Sequence, residues 1–216
     1  MTAARRALAY FTILPGGRVD GPPDAATLAW LPVVGALVGA ICGACGWLAW
    51  RYVGAPWGAV VPFALGIVLT GALHLDGFLD CCDALFGSAT PERRREILKD
   101  PRHGTFAFAG GIVAAAVGLA ALSRFPYAAM GGWGSAVLMA AIFASARMAV
   151  IANLDAARRT AIAPVYGVLV APATLAVFGL KRWATGRLSG AESGDIYGAC
   201  VVLLEIAGLA GLSLIR

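Results

Sequence analysis

The sequence predicts an all-α, polytopic transmembrane helical bundle, and three observations predict it. Of the 216 residues, 60% are hydrophobic and only 13% charged, and the mean hydropathy is +0.79, far from the balance of a soluble domain. The apolar residues gather into runs about as long as a helix needs to cross the hydrocarbon core of a bilayer. Those runs are rich in Gly and Ala, small residues that let helix backbones approach closely in lipid. No repeat, low-complexity tract or long linker interrupts the chain, so residues 1–216 read as a single integral membrane domain.

Taken in order, Arg5 and Arg6 precede the apolar stretch Ala7–Leu14, which Pro15-Gly16-Gly17 ends too early for a span. Gly16-Gly17 is a poor match to a signal-peptide cleavage site. Residues 1–30 therefore read as an interfacial N-terminal segment with Tyr10 and Phe11 at headgroup level. Spanning runs follow at Leu31–Trp50, Ala55–Leu75, Phe106–Phe125, Gly134–Leu154, Ile162–Leu180 and Ile196–Ile215. Strict alternation would place Lys181, Arg182 and Arg187 on the side that should be poor in basic residues. The Ile162–Leu180 run is thus read as re-entrant or as two short passes broken at Pro172, which leaves about six to seven spans.

The net charge of +5 reads as topology. No basic, aromatic-interleaved platform is present, which excludes a nucleic-acid partner. Arg93, Arg94, Arg95, Lys99 and Arg102 cluster between the second and third spans, so that connection faces the cytoplasm by the positive-inside rule. The expected location is a cytoplasmic membrane, with this loop facing the cytoplasm and lipid as one partner. Cys42, Cys45, Cys81, Cys82 and Cys200 lie in or beside apolar runs, where Cys behaves as a small hydrophobe rather than a redox or zinc ligand.

The stretch His74-Leu75-Asp76-Gly77-Phe78-Leu79-Asp80-Cys81-Cys82-Asp83 carries the chemistry. On a helix, Asp76, Asp80 and Asp83 fall within an arc of about 60°, while Leu75, Phe78, Leu79, Cys82, Leu85 and Phe86 form the opposite, apolar face. Like charges stacked at helical spacing repel, more so near a low-dielectric membrane, so a cation is expected to compensate them. Mg²⁺ is the natural one, because it takes oxygen ligands and binds through a few carboxylates plus substrate phosphates. The competing reading is that acids are simply common where a helix leaves a membrane.

Beyond the acids, Thr90 or Ser88 is expected to cap a short helix that has Pro91 at its first position and stops near Asp100-Pro101. Arg102-His103-Gly104-Thr105 then leads into the next span. Residues 76–105 thereby form an active-site loop, acidic and basic, at the membrane surface. Acids for a metal beside bases for phosphate oxygens suit phosphoryl or phosphate-ester transfer. Asp100, Arg102, Gly104 and Thr105 are site candidates, His103 ranks as a solvated loop residue, and His74 ranks below the aspartates because it projects away from their stripe. Arg147 is a charge inside a span and is expected to pair with a stripe aspartate or hold a phosphate, and Glu205 in the last span poses the same question. Asp195 lies in a Gly-rich stretch before the last span.

At these residues the chain resembles the cobalamin synthase (adenosylcobinamide-GDP ribazoletransferase) family. His74-Leu75-Asp76-Gly77, Asp80 and Asp83 are similar to its HLDGLADxxDGL signature, and the stretch from Arg95 to Phe106 is similar to LEIMKDSRIGTFG. Weaker matches are Tyr10–Pro15, Leu31–Gly35, Arg147 and Ser193–Ala199, the last resembling TGDVLGA. Ala84, Pro101 and Ser193 depart from the patterns, yet none of these departures removes an acid. The resemblance implies a Mg²⁺-dependent membrane enzyme that joins adenosylcobinamide-GDP to α-ribazole or its 5′-phosphate and releases GMP. It further implies Asp76, Asp80 and Asp83 as catalytic and metal-binding, Asp100 as a further ligand or the base, and Arg102, Gly104, Thr105, Arg147 and Asp195 as substrate-binding residues.

Two other readings compete. A CDP-alcohol phosphotransferase also uses an Asp-Gly aspartate cluster, but its DGxxAR motif requires Ala-Arg after the first Asp-Gly, where Phe78-Leu79-Asp80-Cys81 follows in this chain. A transporter or structural subunit would spread the acids along a pathway through the bundle. Homo-oligomerisation is left open by the sequence.

Overall fold

The computed structural model describes residues 1–17, 19–154 and 170–214, with Leu214 described by its backbone alone. Among them there are helices and no strands. Helix α1 (Ala3–Phe11) starts at Thr2, whose hydroxyl accepts the Arg5 N–H, and turns Ala7 and Phe11 inward. The single turn α2 (Ala25–Leu28) is capped by Asp24. Arg6 fastens the intervening chain by donating to the carbonyls of Asp20 and Pro22 and by pairing with Asp24 at 3.6 Å. Ala7, Phe11 and Leu28 pack on Leu31, Val34 and Ile151, so the N-terminal segment lies against the start of α3 (Leu31–Tyr52) and the end of α8 (Tyr127–Asn153).

The central pair is α3 against α8. Gly35, Gly39 and Gly43 recur once per turn on α3, and a Cβ on any of them would collide with Arg147, the Met139 carbonyl or the Ser135 carbonyl on α8. The two backbones are in near contact, as the small residues of the sequence imply. Val38, Cys42, Phe125, Met139 and Phe143 fill one core around this pair. The α8 backbone kinks at Gly131, which holds φ 62°.

Helix α4 (Ala55–Leu69) packs beside α3 but ends six residues before the run Ala55–Leu75 does. Gly71 (φ 58°) and Ala72 (φ 59°) both turn left-handed, and α5 (Leu73–Phe86) leaves at 89° to α4. The second span expected from the sequence is therefore a bent pair. A short α6 (Pro91–Ile97), capped at Thr90, leads to α7 (Thr105–Ser123). Helices α9 (Ala171–Arg187) and α10 (Gly194–Leu214) close the bundle, and with α5 and α8 they enclose a second core of Leu85, Val150, Val177, Leu188, Tyr197 and Val201.

Among the described residues, four stretches are long and apolar enough to cross a membrane: Ala25–Tyr52, Thr105–Ser123, Tyr127–Asn153 and Gly194–Ser213. The bent α4–α5 pair makes five if it counts as one span. These helices mark a multi-pass membrane protein, with four to five such spans among the described residues beside the six to seven read from the whole sequence. The part of the Ile162–Leu180 run before residue 170 lies outside the described residues. Its remaining part starts α9 with Pro172 in the first turn, where Pro is tolerated, and the helix continues through Lys181 and Arg182.

If the α3–α8 contact is as close as described, Gly39→Ala lowers stability by about 1–3 kcal/mol through overpacking. Gly179→Ala, which has open space around its Cβ inside α9, leaves stability unchanged or raises it by up to about 1 kcal/mol. Denaturation of the detergent-solubilised protein by SDS measures both, and equal effects would refute the close crossing.

Candidate active site

The bend after α4 creates the site. The Ala72 N–H bonds the Ile67 carbonyl at 2.8 Å and the Gly71 N–H bonds that of Val68 at 2.9 Å, while the Ile13 N–H from the N-terminal segment takes the Leu69 carbonyl at 2.9 Å. The orphan carbonyls at the end of α4 are thereby used up, and the chain restarts as α5 in a new direction.

At its far end α5 is held by two guanidinium groups. Arg94 is buried and donates to the carbonyls of Ala84 (2.5 Å), Gly87 (2.7 Å) and Ala89 (3.0 Å). Arg187, from α9, donates to the Leu85 carbonyl at 2.6 Å. Cations at a helix C-terminus satisfy its free carbonyls and oppose its partial negative charge. Two of the bases that the sequence offers for phosphate or topology are therefore committed to fixing α5. By contrast, Arg93 and Arg95 make exposed pairs with Glu96 (2.8 Å) and Glu92 (3.2 Å).

Along α5 the three aspartates have different surroundings. His103 stands between Asp76 and Asp80, with Nε2 at 3.5 Å from an Asp76 oxygen and Nδ1 at 3.5 Å from an Asp80 oxygen. The Asp76 side chain is 62% exposed and that of Asp80 only 16%. Asp83 instead reaches α7, accepting the N–H groups of Gly104 and Ala107, the latter at 2.9 Å. The N-cap of α7 is Gly104, which has no side chain to offer, and Asp83 serves in its place.

Asp195 joins from α10. A Cβ on Gly77 would lie 2.9 Å from the Asp195 Cα, and one on Gly198 would lie 3.3 Å from the His74 carbonyl oxygen. The α5 and α10 backbones cross at these two glycines, and the crossing brings Asp195 to the acid stripe. Asp80 is consequently flanked by the charges of Asp76, Asp195, Asp83 and His103. The Asp195 carboxylate also accepts from the Ser193 hydroxyl.

Asp100 and Arg102 form a clasp in the loop before α7. One Asp100 oxygen accepts the Arg102 backbone N–H (3.1 Å) and Nε (2.9 Å), and the other accepts Nη2 (2.9 Å). The Arg102 guanidinium beside it holds the Asp100 carboxyl down to about 2. Arg102 to Thr105 are all exposed at the mouth of the site.

Arg147 is not at the stripe. It is buried in the bundle, paired with Glu205 of α10 and bonded to the Phe143 carbonyl at 3.0 Å. The partner expected among the aspartates is thus a carboxylate of the last helix, because a guanidinium enclosed between α3 and α8 reaches no stripe side chain. The pair lines an inner cavity of about 180 Å³ together with Thr70 and His74. His74 is itself buried, and its Nδ1 has no hydrogen-bond partner.

Asp76, Asp80, His103 and Asp195 therefore come together, with Asp83, Gly104 and Thr105 at their edge, and Asp100–Arg102 forms an adjoining clasp. His103 is an exposed loop residue, as expected, and only the return of the chain before α7 reveals its proximity to Asp76 and Asp80. Among the described residues no three His, Cys, Asp or Glu side chains converge on one ready metal cage. What exists among the described residues is a pair of carboxylates, Asp76 and Asp80, each beside His103 and without backbone or Lys/Arg donors. A hard dication that takes one or two carboxylates and completes its shell with water and substrate phosphate fits this donor set.

A family model described as cobalamin-5-phosphate synthase matches residues 3–213. The chain is 32% identical to a Klebsiella pneumoniae protein over 84% of this chain and 85% of the relative. It is 33% identical to a Deinococcus radiodurans protein over 94% and 82%, and 33% identical to one from Pseudomonas entomophila over 96% and 97%. All three relatives are named adenosylcobinamide-GDP ribazoletransferase. No solved structure matches the chain.

Two outcomes follow from the geometry. With Asp100 held near 2, its clasp is complete above the ordinary carboxylate value of 3.8 and is lost as pH falls through about 2. A carboxyl NMR titration shows the low midpoint in the wild type and a return toward 3.8 in Arg102→Ala. Separately, Arg147→Met or Glu205→Gln alone costs about 3–5 kcal/mol by leaving a buried charge unpaired, and the double variant costs less than the sum. A double-variant cycle read by SDS unfolding would refute the pairing if the two effects added.

Proposed function

The chain belongs to the cobalamin-5-phosphate synthase family, and on that premise we propose that this transferase of cobalamin biosynthesis moves the adenosylcobinamide phosphate of adenosylcobinamide-GDP onto α-ribazole or its 5′-phosphate and releases GMP. The observation that carries the reading is the gathering of Asp76, Asp80, His103 and Asp195 at one crossing, beside the exposed Arg102. Acids that have no Lys/Arg partner among the described residues, next to an accessible guanidinium, suit a diphosphate ester, which needs charge neutralisation and positioning more than covalent chemistry.

In the proposed reaction an acceptor hydroxyl oxygen bonds to the corrinoid-side phosphorus, the bond from that phosphorus to the GMP oxygen breaks, and the hydroxyl proton passes to a base. His103, whose ring lies beside Asp76 and Asp80, is the group placed to take that proton. Asp100 is a weak base, because Arg102 holds it ionised. The remaining Arg102 N–H groups face solvent and are free to receive phosphate oxygens. Asp76 and Asp80 would hold Mg²⁺, whose charge offsets that of the diphosphate and of the departing GMP. Asp83 acts through structure, since it fixes the start of α7 and with it the Arg102–Thr105 mouth. The basic residues around α6 support placing this face at the cytoplasmic surface of the membrane, where an amphiphilic corrinoid is accessible.

Purified protein supplied with adenosylcobinamide-GDP, α-ribazole and Mg²⁺ is expected to form corrinoid product and GMP and to lose both on addition of EDTA. Asp80→Asn, which keeps the shape and removes the charge, lowers kcat by about 100-fold or more. Product formation indifferent to EDTA, or near-normal turnover by Asp80→Asn, would remove the metal-binding acids from the reading.

A further inference from the structure

A cavity of about 420 Å³ lies between the N-terminal segment and the α5–α10 crossing. Its walls are Tyr10, Phe11, Leu31, Val150, Tyr197 and Val201, and His74, Gly77, Gly194 and Asp195 also line it. We propose that this cavity takes the aromatic base of the nucleoside acceptor and holds its ribose toward Asp195 and the acid stripe. The inference rests on the ribazoletransferase reading and adds to it which substrate, and which part of it, enters here.

Three features fit a flat heteroaromatic ring better than an aliphatic chain or a phosphate. The first is the aromatic wall: Phe11 lies nearly parallel to the His74 ring, at 12° and 6.5 Å between centroids. The Tyr197 ring is fixed by its hydroxyl, whose single proton is shared between Glu192 at 2.9 Å and the Asn153 carbonyl at 3.3 Å. Rigid aromatic faces bind a planar ring at little entropic cost. The second is His74, which lines this cavity as well as the inner one and whose buried Nδ1 has no hydrogen-bond partner among the described residues. A buried polar atom without a partner is unfavourable, and a ring nitrogen at the edge of a heterocycle is the kind of acceptor that an Nδ1–H would complete.

The third feature is connectivity. Gly77 and Asp195 belong both to this cavity and to the crossing that carries the acids, so a base seated inside directs its sugar to the place where bond formation is proposed. The cavity's volume falls within the ordinary range of small-molecule sites. The comparably large cavity behind α5, walled by Phe78, Phe86, Phe106 and Trp183, includes neither Asp195 nor an unpartnered nitrogen.

The test uses the full-length protein in detergent or lipid nanodiscs, with steady-state kinetics on both substrates. Leu73→Trp, which fills the cavity from a partly exposed lining position, and His74→Phe, which keeps the ring and removes the nitrogens, are each expected to raise KM for α-ribazole about tenfold. KM for adenosylcobinamide-GDP is expected to stay within about twofold. A rise in KM for the corrinoid substrate instead, or no change in either, overturns the proposal. Should both variants lose all activity, photo-crosslinking of the wild type with an azido-substituted benzimidazole riboside decides. Label on residues 10–11, 73–77 or 197–201 upholds the cavity, and label only elsewhere overturns it. Failure of the wild type to make product from the two substrates would sink the ribazoletransferase reading itself, which no outcome with the variants can do.

Discussion

Three carboxylates on one helical face cannot enter hydrocarbon, and most of this structure follows from that constraint. An apolar run long enough to span leads straight into them, so the chain must change direction before the first acid. It does so at Gly71 and Ala72, the latter accepting a left-handed conformation that an alanine adopts only at a cost of about 1–2 kcal/mol. The bonds that close the end of α4, and the Ile13 N–H that takes its last free carbonyl, offset that strain. Once turned, α5 has a face for acids and a face for the bundle, and every further device near it keeps it in place. Arg94 and Arg187 hold one end, Asp83 joins it to α7, and Gly77 with Gly198 lets α10 approach to backbone contact.

The interior obeys a different rule. Between α3 and α8 the glycines remove side chains so that backbones meet, which leaves dispersion and close fit as the cohesive forces in a medium without hydrophobic drive. Into this dry core the chain places Arg147 and Glu205, two charges that are tolerable only as a pair. The Arg147 side chain lies against Gly35, and any larger residue there would occupy its space. A polar element inside the bundle thus specifies how α3, α8 and α10 register against one another, a role separate from the chemistry at the surface.

Much of this was legible in the sequence, and the limits are physical. The acid face of α5 and the helix start at Thr90-Pro91 follow from local periodicity and capping, which depend on neighbours a few residues away. The bend at 70–72 does not, because hydropathy continues unbroken through Leu75 while the signal is only a Thr-Gly pair. The partner of Arg147 is 58 residues distant and sits in another apolar run, where spacing carries no information. The placement of His103 between Asp76 and Asp80, and the reach of Asp83 to the α7 backbone, are tertiary in the same sense. Arg94 shows the converse: it stands in a basic run that reads as a solvated anchor, yet it is buried among carbonyls.

The bond from Arg187 to the Leu85 carbonyl joins residues 102 positions apart. A chain emerging from the ribosome makes α5 early and Arg187 late, and Asp195 later still. During biogenesis the end of α5 therefore waits with an unsatisfied carbonyl, and the acid stripe waits for its fourth carboxylate, until the final helix pair arrives. Assembly of the acidic surface is consequently among the last events in membrane insertion, and an incompletely synthesised chain carries the acidic motif without the scaffold that holds it.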